Sequence, residues 1–192
     1  MTFPFFRSGL NEDESRLANF ILDNFNIKRD LIERGYFASR DISKESEIEI
    51  NILCIAFLCN FGHSLTSVAF ISKEKVEIIE QTFLKVIVWM CHINHHYITT
   101  TEEGQLYFAR TKLENYKNEL KLCLRDEKNH LPWNIYSSIF YYPLQTKIVE
   151  ENLEVKNQIK NFKIDLDYLF SDYTPMVYNF FMYYQDHLFK FN

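Results

Sequence analysis

Glycine and proline are scarce in this chain, with four of each among 192 residues, against averages of about 7% and 5%. A β-sandwich or barrel needs many tight turns, and these two residues supply much of the backbone geometry of such turns. Their scarcity disfavours an all-β fold and favours long helices. The sequence therefore predicts an all-α bundle of about seven or eight helices, forming a single domain over 1–192 with residues 1–10 as an extended N-terminal arm.

No stretch of the chain is rich in lysine or arginine. The 21 basic residues are outnumbered by 26 acidic ones, which gives a net charge of −5. A protein that binds nucleic-acid phosphates needs a concentrated basic surface. Nucleic acid is therefore not an expected ligand, and the mild acidity favours a basic protein partner.

Long hydrophobic runs are also missing. The longest, residues 50–61, is shorter than the roughly 20 residues that a membrane-spanning helix requires. The N-terminus lacks the basic start and apolar segment of a secretory signal. The cysteines lie in apolar patterns without a C-x-x-C pair, which is typical of buried thiols in a reducing compartment. These features predict a soluble, cytoplasmic protein with no membrane association.

Two segments carry apolar residues in alternating steps of three and four, the spacing that keeps side chains on one stripe of a helix. They predict an antiparallel helix pair, 76–97 and 106–123, at the heart of the domain. The buried positions are Val76, Ile79, Phe83, Val86, Met90, Ile93 and Tyr97 in the first helix, and Leu106, Ala109, Leu113, Tyr116, Leu120 and Cys123 in the second.

Residues 41–61 fit two secondary structures. Isoleucines alternate with polar residues near 47–53, which is the period of a strand. The continuous apolar run that follows, together with the helical character of the rest of the chain, favours a buried helix that ends near Gly62. A short strand near 47–53 is the alternative. The alternating isoleucines are Ile48, Ile50 and Ile52.

Helix boundaries can be predicted at three other places. Asn11 followed by Glu14 resembles a capping box, in which each residue's side chain accepts a hydrogen bond from the other's backbone amide. A more polar helix is expected from about Leu144. Proline is favoured in the first turn of a helix, so Pro175 predicts the start of a separate last helix.

Catalytic signatures are absent: the chain has no G-x-S-x-G, no P-loop and no dinucleotide-binding glycine pattern. One cluster has the residue types of a metal site, because His92 and His96 are one helical turn apart, with His95 beside them. The apolar stripe of the 76–97 helix places all three histidines on the side away from the core, and a metal site needs further ligands. We therefore expect no metal, no cofactor and no enzymatic activity. A metal-dependent helical enzyme that uses this cluster is the alternative.

Two acidic stretches are candidate partner-binding surfaces. In the second, tyrosines accompany the carboxylates, and no lysine or arginine occurs between Lys163 and Lys190. Carboxylates steer a basic partner and tyrosines anchor it, although either stretch could be an ordinary solvated face. The candidate residues are Asp41, Glu45, Glu47 and Glu49 in the first stretch, and Asp165, Asp167, Tyr168, Asp172 and Tyr173 in the second.

These observations predict a non-catalytic, protein-binding function. The expected form is a small acidic inhibitor, such as an immunity (antitoxin-like) protein that neutralises a basic domain of a bacterial toxin. Besides the metal-dependent enzyme, the alternative is a helical domain that senses a small ligand in its aromatic interior. A concave apolar pocket would favour the ligand sensor, and a flat acidic patch would favour the inhibitor.

Overall fold

A computed structural model describes residues 10–37, 42–68, 70–93, 101–124, 130–140 and 152–187. These residues form helices and their connections, without a strand, so the all-α prediction is confirmed. The predicted N-terminal arm lies almost entirely outside them. The helices are α1 (Glu12–Asn24), α2 (Ile27–Glu33), α3 (Lys44–Ser67), α4 (Lys73–Ile93), α5 (Glu102–Leu124), α6 (Trp133–Phe140) and α7 (Leu153–His187).

The central element is α3, which contacts each of the other six described helices. Every side chain from Ile52 to Cys59 is buried. A helix that is buried on all sides has no polar stripe, and this explains why its sequence shows no helical face. The strand considered near 47–53 is excluded, because those residues lie within α3. Ser43 caps the helix, with its side-chain oxygen accepting from the amide of Ser46 at 3.1 Å.

The predicted end of this helix near Gly62 is wrong, because α3 continues to Ser67. Gly62 lies under the ring of Phe181 on α7, and a Cβ atom at position 62 would lie 2.6 Å from that ring. The glycine therefore allows the two helices to approach closely. It does not end α3.

The predicted antiparallel pair is present as α4 and α5. Glu80 contacts Lys117, and Lys112, earlier in α5, is near enough to Cys91, later in α4, for its charge to oppose the rise that burial causes in the pKa of that thiol, so the two helices run in opposite directions. Leu106 is half-buried, while Tyr97 and the side chain of Ile93 lie outside the described part of the chain. The predicted positions that are buried are Val76, Ile79, Phe83, Val86, Met90, Ala109, Leu113, Tyr116, Leu120 and Cys123.

The start of α1 is also confirmed. The side chain of Asn11 accepts from the amide of Glu14 at 2.9 Å, and the Glu14 carboxylate accepts from the amide of Asn11 at 2.8 Å. Glu14 is buried, and Lys85 of α4 contacts its second carboxylate oxygen at 3.0 Å. The capping box thus links α1 to α4.

The last predicted helix does not begin at Pro175. One helix, α7, runs from Leu153 to His187 with Pro175 inside it, and Leu144 lies outside the described residues. Proline removes one intrahelical hydrogen bond, but the residues after it are held by burial against the core. These residues are Val177, Phe180 and Phe181.

Of the described helices, α3 alone is long and apolar enough to cross a membrane. Its most apolar 18-residue window has a mean hydropathy of 1.5, and 72% of that window is buried inside the protein. The core helix of a globular protein has the same length and composition. The burial of α3 follows from its contacts with all the other described helices.

Candidate functional site

Two groups of charged side chains lie between α3, α4 and α5, the first largely buried and the second half-buried. In the first, the carboxylate of Glu49 accepts from the hydroxyl of Tyr116 at 2.5 Å and from the ammonium group of Lys112 at 2.9 Å. The ammonium group also donates to the hydroxyl of Ser138 on α6 at 3.1 Å. Burial and the adjacent Glu49 carboxylate raise the pKa of Tyr116, so its hydroxyl stays protonated as a donor.

In the second group, Glu80 of α4 lies between a lysine and a histidine side chain. Its carboxylate oxygens lie 2.6 Å from the Lys117 ammonium group and 2.9 Å from Nε2 of His63. Burial opposes ionisation of Glu80, but hydrogen bonds and charge from Lys117 and His63 outweigh it and lower the pKa of the carboxyl. Both groups connect helices through paired side chains.

The first predicted acidic stretch does not assemble into an unpaired surface. Asp41 lies outside the described residues, and Glu45 is half-buried. Glu47 pairs with Lys28 of α2 at 2.5 Å. Glu49 is buried in the interior, where a partner protein cannot reach it.

The second stretch divides into two parts, and two of its residues face other helices. The Asp165 carboxylate accepts from the guanidinium of Arg34 and, at 2.7 Å, from the hydroxyl of Tyr36. Tyr173 donates to the carboxylate of Asp30 at 2.8 Å, and its oxygen accepts from the amide of Asn26. Asp165 and Tyr173 therefore fasten α7 to α2 and the residues around it.

The other three residues of the stretch are exposed on α7. Tyr168 has 62% of its surface exposed, and Ile164, one turn earlier, has 53%. Asp167 and Asp172 are exposed, with no hydrogen bond or ion pair to another described residue. We use the name α7 face for Ile164, Asp167, Tyr168, Asp172, Pro175 and Tyr178.

The α7 face has an apolar centre with a carboxylate on each side. At about 100° per residue, Ile164, Tyr168 and Pro175 fall within a stripe roughly 40° wide, with Asp167 and Asp172 about 60–80° to either side of its midline. The three lysines of α7 all precede this face in the sequence. They are Lys156, Lys160 and Lys163.

The far end of the α7 face meets the connection between α3 and α4. The ring of Phe70 contacts the ring of Tyr178 edge-on, with 6.2 Å between the centroids. Phe70 is 52% exposed and its neighbour Val68 is 59% exposed. The exposed apolar surface therefore extends from α7 onto this connection.

A concave pocket adjoins the near end of the α7 face. Its volume is about 430 Å³, which lies within the range of small-molecule sites. Burial and the hydrogen bond to Asp165 raise the pKa of Tyr36, so its hydroxyl is a donor at neutral pH. The pocket is lined by Arg34, Gly35, Tyr36, Tyr136, Gln158, Asn161, Ile164 and Asp165.

The histidines considered as an alternative metal site are not placed by the described part of the chain. The side chain of His92 and all of His95 and His96 lie outside it. Among the described residues, no three His, Cys, Asp or Glu side chains are placed to hold a metal ion. Nε2 of His63 lies 2.9 Å from the Glu80 carboxylate, and Nε2 of His130 is buried without a hydrogen-bond partner among the described residues.

The described cysteines are not activated for nucleophilic chemistry. Burial raises the pKa of Cys91 to about 11 and that of Cys123 to about 12. Burial also raises the pKa of Cys54 and Cys59. Thiols that are protonated at neutral pH are weak nucleophiles.

Sequence reasoning missed several residues of the α7 face and the pocket. Ile164 lies one helical turn before Tyr168, which was among the predicted residues, and this spacing is a signal for a shared face. Phe70 reaches the face through the tertiary fold, and no sequence signal indicates it. The pairing of Arg34 with Asp165 joins residues far apart in the chain and likewise has no local signal.

No protein-family model matches this chain, and neither a curated protein nor a solved structure is similar to it.

Proposed function

We propose that this protein is a non-catalytic binding protein that uses the α7 face to hold a basic protein partner. The main supporting observation is that Ile164 and Tyr168 are exposed between two carboxylates, Asp167 and Asp172, that have no partner among the described residues. Exposed apolar side chains on adjacent turns provide contact area, and tyrosine is a frequent energetic anchor of protein interfaces. Carboxylates at the rim speed the association of a basic protein and orient it.

The narrower form of this proposal is an inhibitor, such as an immunity protein that neutralises a basic toxin domain. Support comes from the acidic net charge, the absence of catalytic sequence signatures and the raised pKa values of the described thiols. An inhibitor of this kind needs a preformed surface. The α7 face belongs to a long helix that the core holds through Leu166, Leu169, Phe170 and Val177.

The proposal can be tested by affinity capture from the source cell with three versions of the protein. The first is wild type. The second, Tyr168→Ala with Asp172→Lys, alters the α7 face. The third, Tyr107→Ala with Asp23→Lys, is a matched control, because Tyr107 is 73% exposed on α5 and Asp23 is exposed on α1.

We expect wild type and the control to capture the same basic protein, and the α7 variant to lose it. Capture should also weaken when salt is raised from about 0.05 to 0.5 M, since the Debye length falls to a few ångströms. Equal capture by all three versions would place the interface elsewhere. Catalytic turnover by the purified wild type would contradict the non-catalytic assignment.

A second candidate function, the binding of a small polar ligand, is favoured by the pocket beside Asp165. Its lining offers hydrogen-bonding groups from Arg34, Asn161 and Gln158. Native mass spectrometry of protein purified from the source cell would detect a retained molecule. Asn161→Trp should fill the pocket, so that the molecule is no longer retained. Asn157→Trp, one turn earlier and outside the pocket lining, should leave the molecule bound. No retained molecule in wild type would count against this function.

A further inference from the structure

The shape and charge of the α7 face indicate what kind of structural element its partner presents, an inference that rests on the proposed function. From Ile164 to Tyr178 the face follows a single helix for about 21 Å, at 1.5 Å per residue. Its centre is apolar, and Asp167 and Asp172 lie on opposite sides of that centre. A complementary surface would be an apolar ridge with basic side chains on both sides.

The backbone of the α7 face has almost no free hydrogen-bonding groups with which an extended peptide could pair. Within a helix the amide and carbonyl groups bond to each other, and only the carbonyl of Ser171 loses its donor, because residue 175 is proline. An extended segment bound here would find no row of backbone partners, unlike one that is added to the edge of a sheet. A helix satisfies its own backbone groups and can dock through side chains alone.

We infer that the partner docks a basic amphipathic α-helix along the α7 face. Matching the length of the face takes about 15 residues, or four turns. Apolar residues at positions i, i+4, i+7, i+11 and i+14 would lie against Ile164, Tyr168 and the Phe70–Tyr178 pair. Lysine or arginine on either side of that stripe would meet Asp167 and Asp172.

Charge argues against other occupants of the same surface. Anionic lipid headgroups and nucleic-acid phosphates would be repelled by Asp167 and Asp172. A second copy of this chain, docked face to face by a two-fold axis, would bring the same carboxylates together, and like charges disfavour such a pairing.

Three synthetic 18-residue peptides test this inference by fluorescence anisotropy at low salt. The first carries leucine at the five apolar positions and lysine on both sides of them. The second has the same composition with the leucines and lysines shuffled. The third replaces every lysine of the first with glutamate. We expect the first to bind at least about tenfold more tightly than the shuffled peptide, and the glutamate peptide not to bind at about 100 μM.

Protein variants then locate the binding. Tyr168→Ala, and separately Asp167→Lys with Asp172→Lys, should each weaken binding of the first peptide by about tenfold or more. The controls Tyr107→Ala and Asp23→Lys should change it by less than about twofold. The helical signal of the mixture in far-ultraviolet circular dichroism should be larger than the sum of the signals of protein and peptide measured separately. The reason is that the peptide becomes helical on binding.

Several results would overturn the inference: no binding of the first peptide, equal binding of the shuffled peptide, or binding that the α7 variants leave unchanged. The affinity capture described above separates this failure from failure of the proposed function. If capture still depends on the α7 face while the peptide test fails, the partner docks by another kind of element. If capture fails while the peptide binds as expected, the function is wrong and the helix preference of the surface stands.

Discussion

Two regions of this protein combine a tyrosine with carboxylates, and they differ in almost everything else. In the interior, the hydroxyl of Tyr116 is 2.5 Å from the carboxylate of Glu49, and both residues are buried. On α7, Tyr168 is mostly exposed, and Asp167 and Asp172 beside it have no described partner. The same residue types thus form a closed network in one place and an open surface in the other.

The difference follows from the free energy of burial. An unpaired carboxylate costs several kcal/mol in the interior and almost nothing in water. Glu49 is therefore surrounded by donors, and those contacts connect α3 to α5. The carboxylates on α7 need no partner within the protein, so they remain free to meet a second molecule.

The largest difference in the free energy of unfolding is expected between alanine variants of the two tyrosines. Tyr116→Ala should lower the free energy of unfolding by about 3–5 kcal/mol, because it leaves a large cavity and removes a donor from Glu49. Tyr168→Ala should change it by less than about 0.5 kcal/mol. Urea denaturation measures both, and similar values for the two variants would contradict the comparison.

Removing one charged partner from the buried network should also lower the stability of the protein. Glu49→Ala leaves the Lys112 ammonium group without its carboxylate, and we expect a loss of about 3 kcal/mol in urea denaturation. Replacing both partners, Glu49→Met with Lys112→Met, should restore much of this loss, since no buried charge remains. A double variant less stable than Glu49→Ala would show that the pair contributes mainly through other contacts.

The half-buried Glu80 and the buried Glu119 should give opposite dependences of stability on pH. The pKa of Glu80 is lowered in the folded protein, so its stabilising contribution is present above the unfolded pKa, near 4.3, and is lost as pH falls through the folded value. The pKa of Glu119 is raised by burial, although the backbone amides of Asn134 and Ile135 donate to it. Its ionised form therefore weakens the fold, and this effect disappears as pH falls.

The pH prediction is measured as the difference in unfolding free energy between wild type and each variant, from about pH 3.5 to 8. With Glu80→Gln the advantage of wild type should shrink towards acid pH. With Glu119→Gln the change should have the other sign. If the two variants change the pH dependence of stability in the same direction, the partners of Glu80 do not keep its carboxylate ionised in solution.

The smallest effect on stability is expected for charge reversal on α7. Asp167→Lys with Asp172→Lys should move the free energy of unfolding by less than about 0.5 kcal/mol, because neither carboxylate has a described partner to lose. Circular dichroism should report unchanged helicity. A loss above about 1 kcal/mol would mean that these residues support the fold and are poor candidates for binding.

Parts of the fold could be predicted because their sequence signal is local. The α4–α5 pair follows from apolar spacing, since each helix has one buried and one exposed side. The capping box at Asn11 and Glu14 is read from two residues. By contrast, α3 is buried all round, so its central position leaves no periodic signal, and a strand-like alternation occurs within it by chance.

The candidate site was only partly predictable, for a related reason. Composition indicates an acidic, tyrosine-bearing segment at 165–173, but whether a residue faces solvent depends on helices elsewhere in the chain. The side chain of Asp165 pairs with Arg34, and that of Tyr173 pairs with Asp30. Both contacts join residues more than 125 positions apart in the chain. Glu49 was expected at the surface as part of the acidic stretch 41–49, and the packing of α5 against α3 buries it.

The contact between Gly62 and Phe181 has a consequence for any attempt to improve this chain. Glycine inside a helix costs about 1 kcal/mol relative to alanine, so Gly62 is a position where local preference and the requirements of the whole fold disagree. A substitution that would strengthen α3 as an isolated peptide would place a methyl group against the ring of Phe181. The conformational weakness of α3 at this residue is the condition that lets the helix carrying the proposed binding surface lie close to the core.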